Sequence, residues 1–242
     1  MKKIGFIGAY DKTDLILYVA KILTTLKKKV LVIDSTINQK ARYIVPVINP
    51  TVKYVTEFEE IDIAVGFENL SDIKKYLGLA EEQEMEYDIV LIDTDDFKGF
   101  ESFELKEASK NYFVTSFDNY SLKKGLEVIS GLQEPISLTK VYFSKEMLKE
   151  EDDYLNFLSL GYKVIWNEYR LYFPIENGDL SVIYENQRVA KIKLKKLSVQ
   201  YKDGLAYLAE EILGNVSESN IRRAIKNIER KVKKLKVQLE RN

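Results

Sequence analysis

Short apolar runs alternate with amphipathic stretches from the first residues of this chain, and this alternation restricts the fold more than any other feature. Residues 4–7 form an apolar run that ends at Gly8, and residues 30–33 form a second run that ends at Asp34. Between the two runs, apolar side chains recur at helical spacing. Fully apolar strands belong in a parallel sheet that helices cover on both faces. The chain is therefore predicted to form a doubly wound, mostly parallel α/β sheet.

The same alternation continues through residue 213. Further strands are predicted at 61–67, 89–92, 112–114, 141–143, 164–166 and 170–173, and helices at 71–79, 121–132, 179–187 and 201–213. Ser71 is the predicted N-cap of the first of these helices, and Gly214 is placed to end the last one. Acidic residues at 57–62 are predicted to lie in a solvated loop, and those at 150–153 at a charged helix N-terminus.

Charge divides the chain into two parts. Residues 218–242 contain nine basic and three acidic residues, so this segment carries +6 although the whole chain carries −1. We therefore predict one domain over residues 1–214 and a separate basic helix over 215–242. The absence of cysteine and histidine excludes disulfides, thiolate metal sites, cysteine nucleophiles and serine–histidine triads. No stretch approaches the ~20 apolar residues of a membrane span, and the first apolar run is too short for a signal peptide, so we expect a cytoplasmic location.

The loop after the first strand has the pattern of a phosphate-binding loop. Lys12 and Thr13 open the first helix, where backbone N–H groups and the helix dipole favour anions. In such loops the lysine reaches the outer phosphates and the hydroxyl binds Mg²⁺. Asp34 and Asp93 end apolar strands, and we expect them to lie with Asp11 and Lys12 at the ligand-binding edge of the sheet. The alternative from the residues alone is a solvated lysine and a capping residue at the start of an ordinary helix.

With these motifs, the sequence resembles the ParA/MinD group of P-loop ATPases, whose loop reads K-G-G-x-G-K-[ST]-[ST]. The resemblance extends over roughly residues 1–214; residues 30–34 are similar to the second strand of the group, and residues 87–94 to its Walker B segment. It implies a P-loop fold that binds ATP and Mg²⁺, with Thr13 and Asp93 as metal ligands. It also implies a set of nucleotide-binding residues: Gly8, Asp11, Lys12, Thr13, Asp14, Asp34, Thr36 and Asp93.

The sequence departs from this family at the positions that carry the chemistry. The signature lysine falls on Ile7, the glycine before the loop lysine on Asp11, the second hydroxyl residue on Asp14, and the water-orienting acid on Thr36. A carboxylate ~4 Å from a phosphate charge costs roughly 4 kcal/mol at an effective dielectric near 20. A cation that stabilises the transition state raises the rate of phosphoryl transfer by about 10³-fold or more. We therefore expect weak or absent ATP binding and inefficient hydrolysis.

The basic segment has a strict heptad pattern. Its seam consists of Ile221, Ile225, Ile228, Val232, Leu235 and Leu239. Three interpretations remain open: a short coiled coil or docked helix that uses the seam, a helix on an anionic membrane surface, and non-specific DNA binding by the cations. The first of these predicts weak self-association into a homodimer through the six seam residues.

These observations support three functional hypotheses. In the first, the chain is a degenerate ParA/MinD-like protein that does not hydrolyse ATP and acts as a scaffold or positioning factor through protein contacts. In the second, it is an active ATPase that positions DNA, pili or another cell-surface machine. In the third, the fold serves a different transfer reaction, which the absence of histidine and of a catalytic constellation disfavours.

Overall fold

A computed structural model describes residues 1–48, 51–145 and 149–239, with side chains described as far as residue 230. The strands are β1 (Lys2–Ile7), β2 (Val30–Asp34), β3 (Tyr54–Phe58), β4 (Ile61–Val65), β5 (Ile89–Thr94), β6 (Lys110–Ser116), β7 (Ile136–Ser144) and β8 (Val164–Pro174). The helices are α1 (Thr13–Thr25), α2 (Ala41–Ile44), α3 (Leu70–Tyr76), α4 (Phe97–Ser102), α5 (Asn119–Ser130), α6 (Lys149–Leu158), α7 (Asn177–Arg188), α8 (Val199–Leu213) and α9 (Glu218–Leu239).

All eight strands form one sheet in the order β3-β4-β2-β5-β1-β6-β7-β8. Every neighbouring pair is parallel except β3 and β4, which are antiparallel. One hydrophobic cluster joins the sheet to α1, α8 and α9, and a second joins its other face to α3, α4 and α5. The predicted doubly wound, mostly parallel sheet is therefore confirmed.

The acidic stretch at 57–62 is not the predicted solvated loop. It contains the ends of β3 and β4, and Glu59 and Glu60 form the turn between them, both with positive φ (54° and 68°). Two consecutive residues with positive φ are typical of a tight, two-residue hairpin turn. The Lys21 ammonium stabilises this turn, since it donates to the Glu59 carbonyl at 2.7 Å and to Glu60 Oε2 at 3.0 Å.

One helix start differs from the predictions. Helix α3 is capped by Asn69, whose side-chain oxygen accepts from the Asp72 backbone N–H at 2.9 Å, and not by Ser71. The acidic run at 150–153 does lie at the N-terminus of α6, as predicted, and within it Asp152 is buried against β7 and β8. The two short strands predicted at 164–166 and 170–173 are parts of the single strand β8, whose pairing with β7 is irregular near Leu138.

Helix α9 packs against α1 and α8. Ile221, Ile225 and Ile228 are buried together with Ala224 in the cluster that covers one face of the sheet. This burial corrects the expectation that these three seam residues mediate self-association, because their apolar surface is already used within the chain. Val232, Leu235 and Leu239 belong to the rest of α9, where side chains lie outside the described part.

Candidate functional site

The carboxyl ends of the central strands bring the predicted site residues together. Asp34 and Asp93 are directly paired in the register of β2 and β5, and the loop after β1 lies beside them. A cavity of about 250 Å³ opens at this edge. The residues that line it and matter for its chemistry are Asp11, Lys12, Thr13, Thr36, Lys40, Asp93 and Asp95.

A larger cavity, of about 640 Å³, lies where β2 and β5 begin. Two of its charged side chains, Lys29 and Glu86, pair with one another at 3.1 Å. The Asp62 carboxylate there accepts a hydrogen bond from the Tyr87 hydroxyl at 2.9 Å. This cavity contains no loop that opens a helix, so we place the candidate site at the opposite edge of the sheet.

Gly8 begins the loop and allows it to turn tightly. Its φ is 134°, a conformation that side chains with a Cβ rarely adopt, and an added Cβ would collide with the Val114 carbonyl oxygen on β6. Its N–H donates to the Thr94 carbonyl at 3.1 Å. Glycine at this position therefore lets the loop pass close to both neighbouring strands of β1.

Lys12 is buried and paired, which excludes the alternative of a solvated helix-start residue. Its side chain is only 2% exposed, and its Nζ lies 2.7 Å from both the Gly8 carbonyl oxygen and Asp93 Oδ1. The Thr13 hydroxyl donates to the other Asp93 oxygen at 3.4 Å. Burial raises the pKa of Asp93 to about 7; the Lys12 ammonium opposes this rise and the Asp34 carboxylate adds to it.

Asp11 places a carboxylate at the N-terminus of α1. Its Oδ1 accepts from the backbone N–H of Thr13 at 3.3 Å, so a carboxylate of the chain itself meets the N-terminus of α1. The Lys40 ammonium pairs with Asp11 and, at 3.2 Å, with Asp14. Asp14 also accepts from Gln187 Nε2 at 2.8 Å. Burial raises the pKa of Asp14, while the nearby Lys40 opposes the rise.

Asp34 and Thr36 hold the loop between β2 and α2. Asp34 Oδ1 accepts from the N–H and the hydroxyl of Thr36, at 3.1 and 2.6 Å, and its Oδ2 accepts from the Ala41 N–H at 2.8 Å. Thr36 in turn accepts from the Gln39 N–H at 3.0 Å. Asp95 Oδ1 accepts from the Ile37 N–H at 2.8 Å. The polar groups at this loop are thus used for its conformation.

Sequence reasoning missed Lys40. Its partners Asp11 and Asp14 lie 29 and 26 residues away in the chain, and no local pattern links the three. The resemblance pointed to Asp11 and Asp14 as altered family positions, but it gave no indication of the cation that pairs with both. A search for unpaired carboxylates near the loop could have suggested a partner, although not its identity.

A nucleoside triphosphate with its metal ion would have to displace two contacts that the site residues make with one another. The Thr13 N–H is already bonded to Asp11, and the predicted metal ligand Asp93 is already paired with the buried Lys12. Within residues 1–48, 51–145 and 149–239, no group of three or more carboxylates is arranged to hold a metal ion. In the same ranges, no helix is both long and apolar enough to span a membrane.

Comparisons with known proteins agree with this fold. No protein-family model and no curated protein sequence matches the chain. The chain is similar to the MinC:MinD cell division protein complex of Aquifex aeolicus, with a TM-score of 0.56 and 15% identity, over 90% of this chain and 97% of that chain. It is also similar to MinD of the same organism, with a TM-score of 0.55 and 16% identity, over 90% and 98% of the two chains.

A third similar structure is a ParA family ATPase from Chlorobium tepidum TLS, with a TM-score of 0.50 and 11% identity. This match covers 93% of the present chain and 98% of the other. The chain therefore has the P-loop NTPase fold of MinD and ParA, as the sequence motifs implied. Sequence identities this low show similarity of fold alone.

Proposed function

We propose that this chain is a degenerate ParA/MinD-like protein that acts without ATP hydrolysis, as a scaffold or spatial-positioning factor that contacts other proteins. The observation that carries the proposal is the Asp11 carboxylate at the N-terminus of α1, where it accepts the Thr13 N–H that a phosphate would need. A triphosphate would have to displace this carboxylate and accept its repulsion. Nucleotide binding is therefore disfavoured at the point where phosphate-binding loops are normally most favourable.

The residues that would promote hydrolysis are also missing or occupied. Ile7 is a fully buried strand residue where the family has its signature lysine. Thr36 uses its hydroxyl to bond Asp34, and a hydroxyl cannot act as the carboxylate that orients the attacking water. Each change removes charge stabilisation or positioning from the transition state. Together they support a protein whose function does not depend on turnover.

The surface around the site supports a role in protein contacts. Ile37, Tyr43 and Tyr120 are 65%, 82% and 69% exposed, and they lie on the loops and helices that follow the carboxyl ends of β2 and β6. Exposed aromatic and aliphatic side chains grouped on one face are typical of interaction surfaces. The MinC:MinD complex is a protein assembly of the same fold, and it supports a protein partner for this chain by analogy.

A titration with fluorescent ATP and Mg²⁺, together with a steady-state hydrolysis assay, tests this proposal. We expect no micromolar binding and no turnover by the unmodified protein. Asp11→Gly should strengthen whatever binding exists, because it removes the carboxylate from the loop. The matched control is Asp153→Gly, which removes an exposed carboxylate from α6. Micromolar binding that Asp11→Gly leaves unchanged, or turnover that Lys12→Ala abolishes, would instead support an active ATPase that positions DNA, pili or another cell-surface machine.

A further inference from the structure

We propose that Lys40 is an intramolecular latch, which holds the β2–α2 loop (residues 35–40) closed on the phosphate loop. The inference rests on the proposed nucleotide-independent function, and it names the contact that takes the place of the nucleotide. The Lys40 ammonium pairs with Asp11 in the phosphate loop and with Asp14 in the first turn of α1, the latter at 3.2 Å. One side chain thus joins the two segments that border the cavity.

The rest of the β2–α2 loop is prepared for this closure. Its first residue, Ser35, donates its N–H and its hydroxyl to the Asp93 carbonyl at 3.0 and 2.9 Å. Farther along, the Ile37 N–H is bonded to Asp95 and the Gln39 N–H to Thr36. Neither end of the loop requires a ligand for its hydrogen bonds. Lys40 supplies the remaining connection, which runs across the mouth of the cavity.

The charges explain why the latch needs Lys40 in particular. Asp14 is mostly buried, with a side chain 13% exposed, so without a cation its carboxylate would face that of Asp11 in a partly desolvated position. Like charges at such sites repel. The Lys40 ammonium between the two carboxylates offsets this repulsion and donates to one oxygen atom of each. Loss of Lys40 is therefore expected to open the loop as well as to break two ion pairs.

The latch also accounts for the altered loop residues. In the family pattern a glycine and a hydroxyl residue stand where this chain has Asp11 and Asp14. A carboxylate at either position would repel a phosphate, but the two carboxylates together form a binding site for one internal ammonium group. The ion pairs of Lys40 with Asp11 and Asp14 thus cross the cavity, and a phosphate ligand would have to separate them.

Hydrogen exchange of individual amides in the full chain, measured by NMR without nucleotide, tests the latch. In Lys40→Met we expect the Ile37 and Gln39 amides to exchange about fivefold faster, a change suited to a partly exposed ion pair. The matched control is Lys53→Met, which breaks the Lys53–Asp72 ion pair of 3.0 Å at comparable exposure. It should leave both amides unchanged. Equal acceleration in the two variants, or none in Lys40→Met, would overturn the proposal.

Salt provides a second measurement if Lys40→Met is poorly folded. In the unmodified protein, 1 M NaCl should accelerate exchange of the same two amides relative to those of β5, because salt screens partly exposed charges. Asp11→Asn should reproduce most of this effect and should respond less to salt. Loop exchange that is independent of salt would contradict the latch. A failed latch would leave the ATP titration unaffected, whereas micromolar ATP binding would refute the proposed function and leave the exchange result standing.

Discussion

The carboxylate of Asp152 shows how much one buried residue can organise. It accepts hydrogen bonds from Lys140 Nζ at 2.8 Å and from the Tyr142 hydroxyl at 2.6 Å, and it pairs with Arg170. Although burial raises the pKa of Asp152, these hydrogen bonds and the two cations outweigh burial and lower it. Lys140 also lies over the Trp166 ring, 5.1 Å from its centroid. The cluster fixes α6 against β7 and β8.

Removing this carboxylate should be costly. In Asp152→Ala, Lys140 would remain buried without its counter-ion, and we expect a loss of about 3 kcal/mol or more in the free energy of unfolding. Asp153→Ala provides the control, because Asp153 is the exposed neighbour on the same helix and should change stability by less than about 0.5 kcal/mol. Urea denaturation measures both. A similar cost for the two variants would mean that Asp152 contributes no more than surface charge.

At the scale of the element, α5 depends on a charged N-cap. Asp118 accepts from the Ser121 N–H at 2.9 Å and from the Ser121 hydroxyl at 2.6 Å, and the Ser116 hydroxyl also donates to it. Burial is the largest single influence and opposes ionisation, but the hydrogen bonds from Ser116 and Ser121 together outweigh it and lower the pKa of Asp118 to about 2. The ordinary value is 3.8, so the folded protein holds this proton less tightly than the unfolded chain does.

This difference in pKa gives the cap a pH dependence. Because the folded pKa is depressed, the contribution of the charge to stability is complete above about pH 4 and declines as the pH falls toward about 2. Asp118→Asn keeps a capping oxygen but loses the charge. The stability difference between the unmodified protein and this variant should therefore be largest at pH 5 and smaller at pH 3, as measured by urea denaturation. A difference that grows toward pH 3 would contradict the assignment.

The packing of helix α9 predicts that its buried residues contribute to the stability of the fold. Ile221 is fully buried between α9 and the rest of the domain, so Ile221→Ala should lower the free energy of unfolding by about 3 kcal/mol. Lys226→Ala changes an exposed residue of the same helix and should cost less than about 0.5 kcal/mol. Thermal and urea unfolding compare the two. If Ile221→Ala were equally mild, α9 would not be part of the folded core.

At the scale of the whole molecule, local patterns predicted the sheet and left out the contacts that complete it. Apolar strands such as β2 and β5 were recognisable because burial on both faces leaves a continuous hydrophobic run. Strand β3 was missed because an edge strand interrupted by Thr56 and the exposed Glu57 has no such run. Lys40 and Asp152 were missed because their partners are distant in sequence, and only the folded chain brings these charges together.

We expect that the basic residues after 230 can be removed without loss of the folded structure. A truncation to residues 1–230 keeps the buried residues described in α9 and removes five lysine and arginine residues, whereas 1–216 exposes the core of α1 and α8. We expect 1–230 to retain full stability and 1–216 to lose it. If the tail binds anionic vesicles or non-specific DNA, binding by the full chain should weaken with salt and be absent from 1–230. Sedimentation and vesicle co-pelleting measure these outcomes. Equal binding by both chains would show that residues 231–242 are not the element that binds vesicles or DNA.

The packing of α9 on α1 has a consequence for the order in which the protein is made. During synthesis α1 leaves the ribosome well before α8 and α9, and β1 waits for β5 and β6, its neighbours in the sheet, to be translated. Even then part of the apolar side of α1 stays uncovered until α9, which follows α8, has emerged. A nascent chain that stalls before residue 217 would therefore present uncovered hydrophobic surface to chaperones and proteases.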